Sequence, residues 1–378
     1  MKIDFIDSIN NISAIDWQRL NASANPLASY NFLTAMENSA SASQARGWQP
    51  HHLQLSAADN VAAILPLYIK HNSWGEYVFD WSWAEAYQKN GLPYYPKLVS
   101  TLPFTPVTSN KLLSNTVCQA DVVNVLTEHC HQHAFNSWHL LFCPTVENIP
   151  EDIYLRHTVQ FHWFNRRYQN FDDFISTFSS RKRKNTRKER LSISQQGINI
   201  KQIKGGDITA EDLAFFYLTY QLTYLKKGHQ PHLSLAFFQQ ILSSLPGNIL
   251  LIIASRAGEN LACSLFFYDN KQLYGRYWGC THYVNNLHFE LCYYQGIEFC
   301  IEQNIGSFNP GTQGEHKIQR GFEPILTNSY HWVKHPAFKG PVKDFCQQER
   351  QQSQHYLQQC QLGLPYKDFK QLLAQPTA

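Results

Sequence analysis

The chain has 378 residues, 43% hydrophobic and 14% aromatic with only 16% charged, a composition that excludes a disordered chain and holds more apolar surface than one ordinary core can bury. Its formal net charge of +3 is too small to mark the whole molecule as a polyanion binder, so any such role has to come from local clustering. No run approaches the roughly 20 apolar residues of a spanning helix, which excludes a transmembrane helix and leaves peripheral membrane contact as the membrane role still open.

The opening MKIDFIDSINNISAIDW places acids inside its apolar stretch and has no cleavage-site pattern, so a secretory signal is not expected and the cytoplasm is. Nine cysteines without a CxxC pair read as reduced thiols. His129-Cys130-His131-Gln132-His133 has no second cluster at zinc-site spacing, so no metal is expected. Sliding the sequence by 200 positions aligns Asn60 with Asn260, Ala62 with Ala262, Leu65 with Leu265, Tyr68 with Tyr268, Gly75 with Gly275 and Tyr77 with Tyr277, which reads as an internal duplication. In the first copy a third strand is expected to alternate Tyr77, Phe79, Trp81 and Trp83 on one face with Val78, Asp80 and Ser82 on the other. A carboxylate between tryptophans is costly to bury alone, so Asp80 has to be paired or near a domain junction.

Phe171, Phe174, Ile175 and Phe178 form a helical stripe after the N-cap Asn170, with Asp172 and Asp173 in the first turn. It runs into Arg181-Lys182-Arg183-Lys184-Asn185-Thr186-Arg187-Lys188-Glu189-Arg190, where seven of ten residues are basic. At about 100° per residue these encircle a helix. Two readings stand: guanidinium groups paired with acids of the other domain, or phosphate binding. Further on, Ile249 to Ser255, Leu261 to Tyr268 and Leu273 to Cys280 predict a meander with a turn at Ala257-Gly258-Glu259-Asn260. Leu287, Leu291, Tyr294, Ile297 and Ile301 then recur at near-helical spacing, Ser307 to Asn309 and Ile325 to Val333 read as strands, and a glutamine-rich helix closes the pattern.

Leu273-Tyr274-Gly275-Arg276-Tyr277-Trp278-Gly279, the run Leu287 to Gln295 and the run Gln313 to Gly321 resemble the Fem-like proteins of peptidoglycan biosynthesis or recognition. So do Gly75-Glu76-Tyr77-Val78-Phe79-Asp80-Trp81, Tyr94-Tyr95-Pro96-Lys97-Leu98 and Pro103-Phe104-Thr105-Pro106-Val107-Thr108 in the first half. The resemblance implies a mixed α/β (α+β) fold of two tandem GNAT-like acyltransferase domains. The first, 1–150, would serve as scaffold and acceptor side; the second, 151–345, with the basic helix 179–192, would bind donor and run the chemistry; 346–378 would be a C-terminal helix and tail. The implied activity is transfer of an acyl or aminoacyl group to an amine, with no permanently bound cofactor and with aminoacyl-tRNA or acyl-coenzyme A as co-substrate. The usual GNAT pyrophosphate loop is missing in good form, which favours tRNA over coenzyme A. A non-catalytic binder of nucleic acid or of a cell-wall precursor is the rival from another class.

Acyl transfer to an amine requires a base, an oxyanion donor and a proton for the leaving group. Candidates for the base are Glu290 and His288, at a helix start, and Glu315 and His316 in the loop 311–317, the preferred active-site loop, with Tyr277 as proton donor. Donor phosphates are assigned to Arg181, Lys182, Arg183, Lys184, Arg187, Lys188, Gln313, Gly314, Lys317 and Arg320. A small-molecule or peptide amine is assigned to Asp80, Trp81, Trp83, Tyr94, Tyr95 and Arg276.

Overall fold

The structure, a computed structural model, describes the chain except Asp59, Glu147, Asn148, Gln313 and Ala378. It divides into two compact units, Met1–Val159 with Leu326–Tyr356, and Gln160–Ile325 with Leu357–Ala378. Both units are therefore discontinuous, unlike the contiguous spans 1–150, 151–345 and 346–378 read from the sequence. The strands Tyr154–Phe164 and Glu323–Val333 carry the chain from one unit into the other, so neither unit ends at a linker.

In the first unit, Lys2–Ile6, His52–Ala57, Asn60–Leu65 and Leu113–Ser114 form an antiparallel sheet in that order. A further set of strands, Tyr68–Lys70, Lys97–Ser100 and Ser137–Cys143, lies side by side, the last two parallel and joined through the helix Gln119–Gln132. Leu53, Leu65, Val122, Leu126, Trp138, Leu140 and Trp332 fill the core between them.

The second unit has the expected meander: Asn199–Lys204, Ile249–Arg256, Glu259–Tyr268 and Gln272–Cys280 are antiparallel neighbours. A helical segment from Leu287 to Glu302 follows and returns the chain to Ser307–Asn309, parallel to Gln272–Cys280. The helix Ala210–Leu225 lies so close on this sheet that a Cβ at Gly279 would sit 2.2 Å from the Thr219 carbonyl oxygen. The duplication is visible in the parallel between Lys2–Ile6, His52–Ala57, Asn60–Leu65 and Asn199–Lys204, Ile249–Arg256, Glu259–Tyr268, each an antiparallel trio in the same order.

The copies part at Pro66. It has no N–H for a ladder and stands where the first strand stops at Leu65. The second copy instead runs on to Tyr268 through a bulge at Leu265/Phe266. Beyond this point the expected third strand at 77–83 is not formed. Trp81–Lys89 is a helix that buries Trp83 and Tyr87, one turn apart, and Asp80 is its N-cap residue. Alternating aromatics misled the strand reading because Trp83 and Tyr87 satisfy a helical period equally well.

Candidate functional site

The basic helix forms as expected, Ser180–Gln195, directly after Phe171–Ser176, whose N-cap Asn170 accepts the Asp173 amide at 2.9 Å. It buries only Thr186 and Ile193, and its charges fall into two groups. Arg190 is inward: its guanidinium holds Glu290 at 2.8 Å and Glu298 at 2.7 Å and lies 4.4 Å from the Phe171 ring centroid. Glu189 accepts Arg320 at 2.8 Å and the Tyr294 hydroxyl at 2.5 Å. Arg187 pairs with exposed Asp172 at 2.9 Å, Lys182 donates to Gln319, and Arg183 donates weakly to the Ser176 carbonyl at 3.4 Å. Arg181, Lys184 and Lys188 are exposed and have no acidic partner among the described residues. Pairing with acids thus holds for Arg187 and Arg190, with acids of the same unit and not of the other domain, while Arg181, Lys184 and Lys188 remain open to an anion.

The helix after the meander contains a π-turn at Glu290–Tyr294. An inserted residue of this kind shifts the helical phase, a feature often met at functional sites. Glu290 looks to one side, where Arg190 and Gln295 satisfy it. Tyr293 reaches His316 of a 3₁₀ turn at Glu315–Arg320, and the Tyr294 hydroxyl donates to Glu189 of the basic helix, which holds Arg320 of that turn. A cavity of about 470 Å³ lies there, lined by Lys182, Asn185, Thr186 and Glu189 of the basic helix, by Tyr294, and by Glu315, His316, Gln319 and Arg320 of the turn. The His316 Nε2 is 2.7 Å from the Tyr293 hydroxyl, and the His288 ring is 5.9 Å from that of His316. Burial, with Arg320 and Lys317 adding, holds the His316 imidazole below its ordinary pKa, and burial takes His288 down to about 4. Both rings are therefore neutral at pH 7, and a neutral imidazole in a cleft can accept a proton.

Gly314 makes room for this arrangement: its φ is +108°, and a Cβ there would lie 2.2 Å from His316 Cε1. The segment around Tyr366 ties the parts together. The Ser179 amide donates to the Pro365 carbonyl at 2.9 Å, the Lys367 amide to Thr177 at 2.9 Å, and the Tyr366 hydroxyl to the Gly321 carbonyl at 2.5 Å.

Several expected residues have other tasks. His288 and Glu290 do not form a relay: two residues apart on a helix they diverge, and His288 packs against Trp278, Phe289 and Tyr293 while Glu290 is paired with Arg190. Lys317 is buried, not offered to phosphate. Its ammonium donates to the Gly311 carbonyl at 2.6 Å, and burial lowers it to about 7. Arg320 spends its guanidinium on Glu189 and on the His316 carbonyl at 2.7 Å, with Phe289 3.4 Å beneath, so it braces the turn. Tyr277 belongs to an aromatic cluster with Phe216, Tyr220 and Phe238. The Arg276 guanidinium lies 5.9 Å from the Tyr277 ring, in the second unit, whereas the other residues assigned to the amine are in the first. Gln313 lies outside the described residues. In the first unit, Asp80 accepts Lys97 at 2.5 Å and Tyr94 at 2.6 Å, and Tyr95 meets Ser73 at 2.8 Å. Trp83 is core, against His331 and Arg156, while Trp81 is on the surface. No group of three His, Cys, Asp or Glu side chains among the described residues is placed to hold a metal ion.

Glu290→Gln is accordingly expected to lower unfolding stability by about 1–2 kcal/mol, since it leaves half of Arg190 without its acid, and to leave turnover within a few-fold. Urea denaturation beside a rate measurement checks both. A large loss of turnover in a stable variant would return Glu290 to the chemistry.

Sequence reasoning missed Tyr293, Tyr294 and Glu189. Tyr294 reads as a packing position of the helical stripe from Leu287 to Ile301, Tyr293 lies off that stripe, and one acid inside a basic run looks like noise. Among solved structures, FemX shares 10% identity with this chain over 90% of it and 100% of FemX, at a TM-score of 0.51. A C-terminal domain from Agrobacterium fabrum, assigned to a lysylphosphatidylglycerol synthetase, shares 8% identity over 89% of this chain and 95% of its own, at 0.52. The tandem GNAT protein from the clavulanic acid biosynthesis pathway shares 10% over 89% and 99%, at 0.44. No curated protein sequence matches the chain. The likenesses are of fold, and the mixed α/β fold expected from the sequence is met. No helix among the described residues is long and apolar enough to cross a membrane. The chain belongs to the FemAB-like family, peptidoglycan biosynthesis/recognition, whose model it matches over residues 8–368.

Proposed function

We propose that this FemAB-like protein transfers an aminoacyl group from a charged tRNA to an amine on a cell-wall precursor, in the cytoplasm, with His316 as the base. The observation that carries the reading is the cavity in which a neutral imidazole, held by Tyr293, faces the basic helix. The amine binds as the free base after giving its ammonium proton to solvent and attacks the ester carbonyl; His316 takes the proton that the attacking nitrogen must shed and passes it to the departing ribose oxygen as the carbon–oxygen bond of the tetrahedral intermediate breaks. Lys182 and Asn185 line the same cavity and supply donors for the oxyanion.

The choice of tRNA rests on the shape of the free charge. Arg181, Lys184 and Lys188 stand three and four residues apart and span about 10 Å of helix at 1.5 Å per residue. A strip suits a polymer of phosphates better than one pyrophosphate. An acyl-coenzyme A donor is the second reading, favoured by Gly311 and Gly314, whose φ of +92° and +108° turn the backbone beside the cavity.

Titration of the protein with charged tRNA and with acyl-coenzyme A at two salt concentrations, followed by mass spectrometry of any amide formed, tests both. Salt-sensitive binding of charged tRNA and an aminoacylated product are the expected result. Binding of neither donor would leave a non-catalytic precursor binder in place of a transferase.

A further inference from the structure

The first unit, expected from the sequence to be a scaffold, buries more charge than a scaffold needs. Lys97 has no exposed surface, and its Nζ lies 2.5 Å from Asp80 Oδ2, 2.8 Å from Glu76 Oε2 and 2.9 Å from Ser73 Oγ. Lys70 is equally buried, resting 3.7 Å from the Trp48 ring and donating to the Trp74 carbonyl at 3.1 Å. Burying charge is tolerable when every lone pair finds a donor. Glu76 Oε1 and Asp80 Oδ1 are buried and meet no donor among the described residues. Burial pushes Glu76 up to about 7 against the pull of Lys97, as a carboxylate with half its partners should be. For Asp80 burial acts in the same direction, but Lys97, Ser73 and Tyr94 outweigh it and hold its carboxyl below the ordinary range.

Two further observations fall on the same stretch. Tyr77, between the two acids, has a φ of +63°, a conformation bulky residues avoid and one that tends to cluster at functional sites. Trp74, Phe79 and Trp81 are 57%, 52% and 39% exposed, with Trp74 and Trp81 ring centroids 5.2 Å apart and Phe79 stacked 6.4 Å from Trp81. Aromatic faces attract cations, and indoles most strongly.

We propose that the Ser73–Trp81 segment binds the amine acceptor by its ammonium group, which donates to Glu76 Oε1 and Asp80 Oδ1 while the attached alkyl chain packs on Trp74 and Trp81. The ligand class is a primary alkylammonium, because the unmet groups are two carboxylate oxygens and the exposed rings favour a cation over a neutral hydroxyl. The proposal rests on the transferase reading in one respect, that the acceptor is an amine.

The test uses the full chain, n-pentylamine as probe and 1-pentanol as its neutral counterpart, with isothermal calorimetry at pH 7. Pentylammonium is expected to bind about tenfold or more tighter than pentanol, and Glu76→Gln to lose about tenfold of that affinity. Trp81→Ala, at an exposed position that leaves the fold intact, is expected to lose several-fold. Near-ultraviolet circular dichroism checks that Glu76→Gln is folded; if it is not, the amine-to-alcohol ratio and Trp81→Ala decide. Equal binding of amine and alcohol, or binding that survives both substitutions, overturns the proposal. If aminoacyl transfer occurs with a KM for the amine unmoved by these substitutions, the site falls and the function stands. If pentylammonium binds as expected but no donor supports transfer, the site stands and the transferase reading falls.

Discussion

His316→Ala is expected to lower kcat by about 10²–10⁴-fold, the span associated with loss of a general base, and to leave binding of charged tRNA little changed. The variant separates the base from the scaffold because His316 is exposed to the cavity and its removal leaves the Glu189–Arg320 brace and the Tyr366 tie in place. The pH profile of the unsubstituted protein carries the same information. Burial, Arg320 and Lys317 all disfavour the imidazolium, so the active neutral form persists below the ordinary histidine value of 6.5. The acid limb of kcat/KM is therefore expected below that value, with activity flat from pH 7 upward until another group titrates. Tyr293→Phe removes the hydroxyl 2.7 Å from Nε2, and a displaced acid limb with most of kcat retained would identify Tyr293 as the group that orients the ring. A profile unchanged by His316→Ala would exclude it as the base.

The second large effect concerns the donor. Neutralising Arg181, Lys184 and Lys188 together removes three exposed cations of the basic helix that have no acidic partner among the described residues. If each meets a phosphate, the slope of log affinity for tRNA against log salt falls by about 2–3, and affinity at low salt drops by orders of magnitude. Arg187 and Arg190 are the internal control: they are bound to Asp172 and to Glu290 and Glu298, so Arg190→Ala should cost stability and leave the salt slope unchanged. A slope indifferent to the triple substitution would place the tRNA elsewhere or remove it. Coenzyme A affinity lost in its place would favour the second donor.

How far the sequence reached depended on which physical signal each element carried. The meander of the second unit was legible because Leu250, Ile252, Leu261 and Phe266 sit in β-rich runs separated by true turn residues, and those runs became strands. The basic helix was legible as an element, yet its sorting into braced and exposed charges was not. That sorting depends on Glu290 and Glu298, which lie a hundred residues away and reach Arg190 only in the fold. The need for a partner at Asp80 was correctly forced by the cost of a buried carboxylate. Its partner Lys97, however, stands in Pro96-Lys97-Leu98 with nothing to distinguish it from a surface lysine. Trp81 and Trp83 show the reverse failure, where a strong pattern pointed to the wrong period.

The knot of backbone bonds around Pro365, Tyr366 and Lys367 has a consequence for timing. The start of the basic helix and the end of the His316 turn are both fastened by residues far downstream of either. During synthesis the meander, the helix and the turn all leave the ribosome before their fastener exists. A chain arrested near residue 350 would hold every side chain named in the proposed chemistry and still lack the clamp that sets their spacing. Competence for transfer is thus expected only once residues 365–367 have been made, after every side chain of the proposed chemistry.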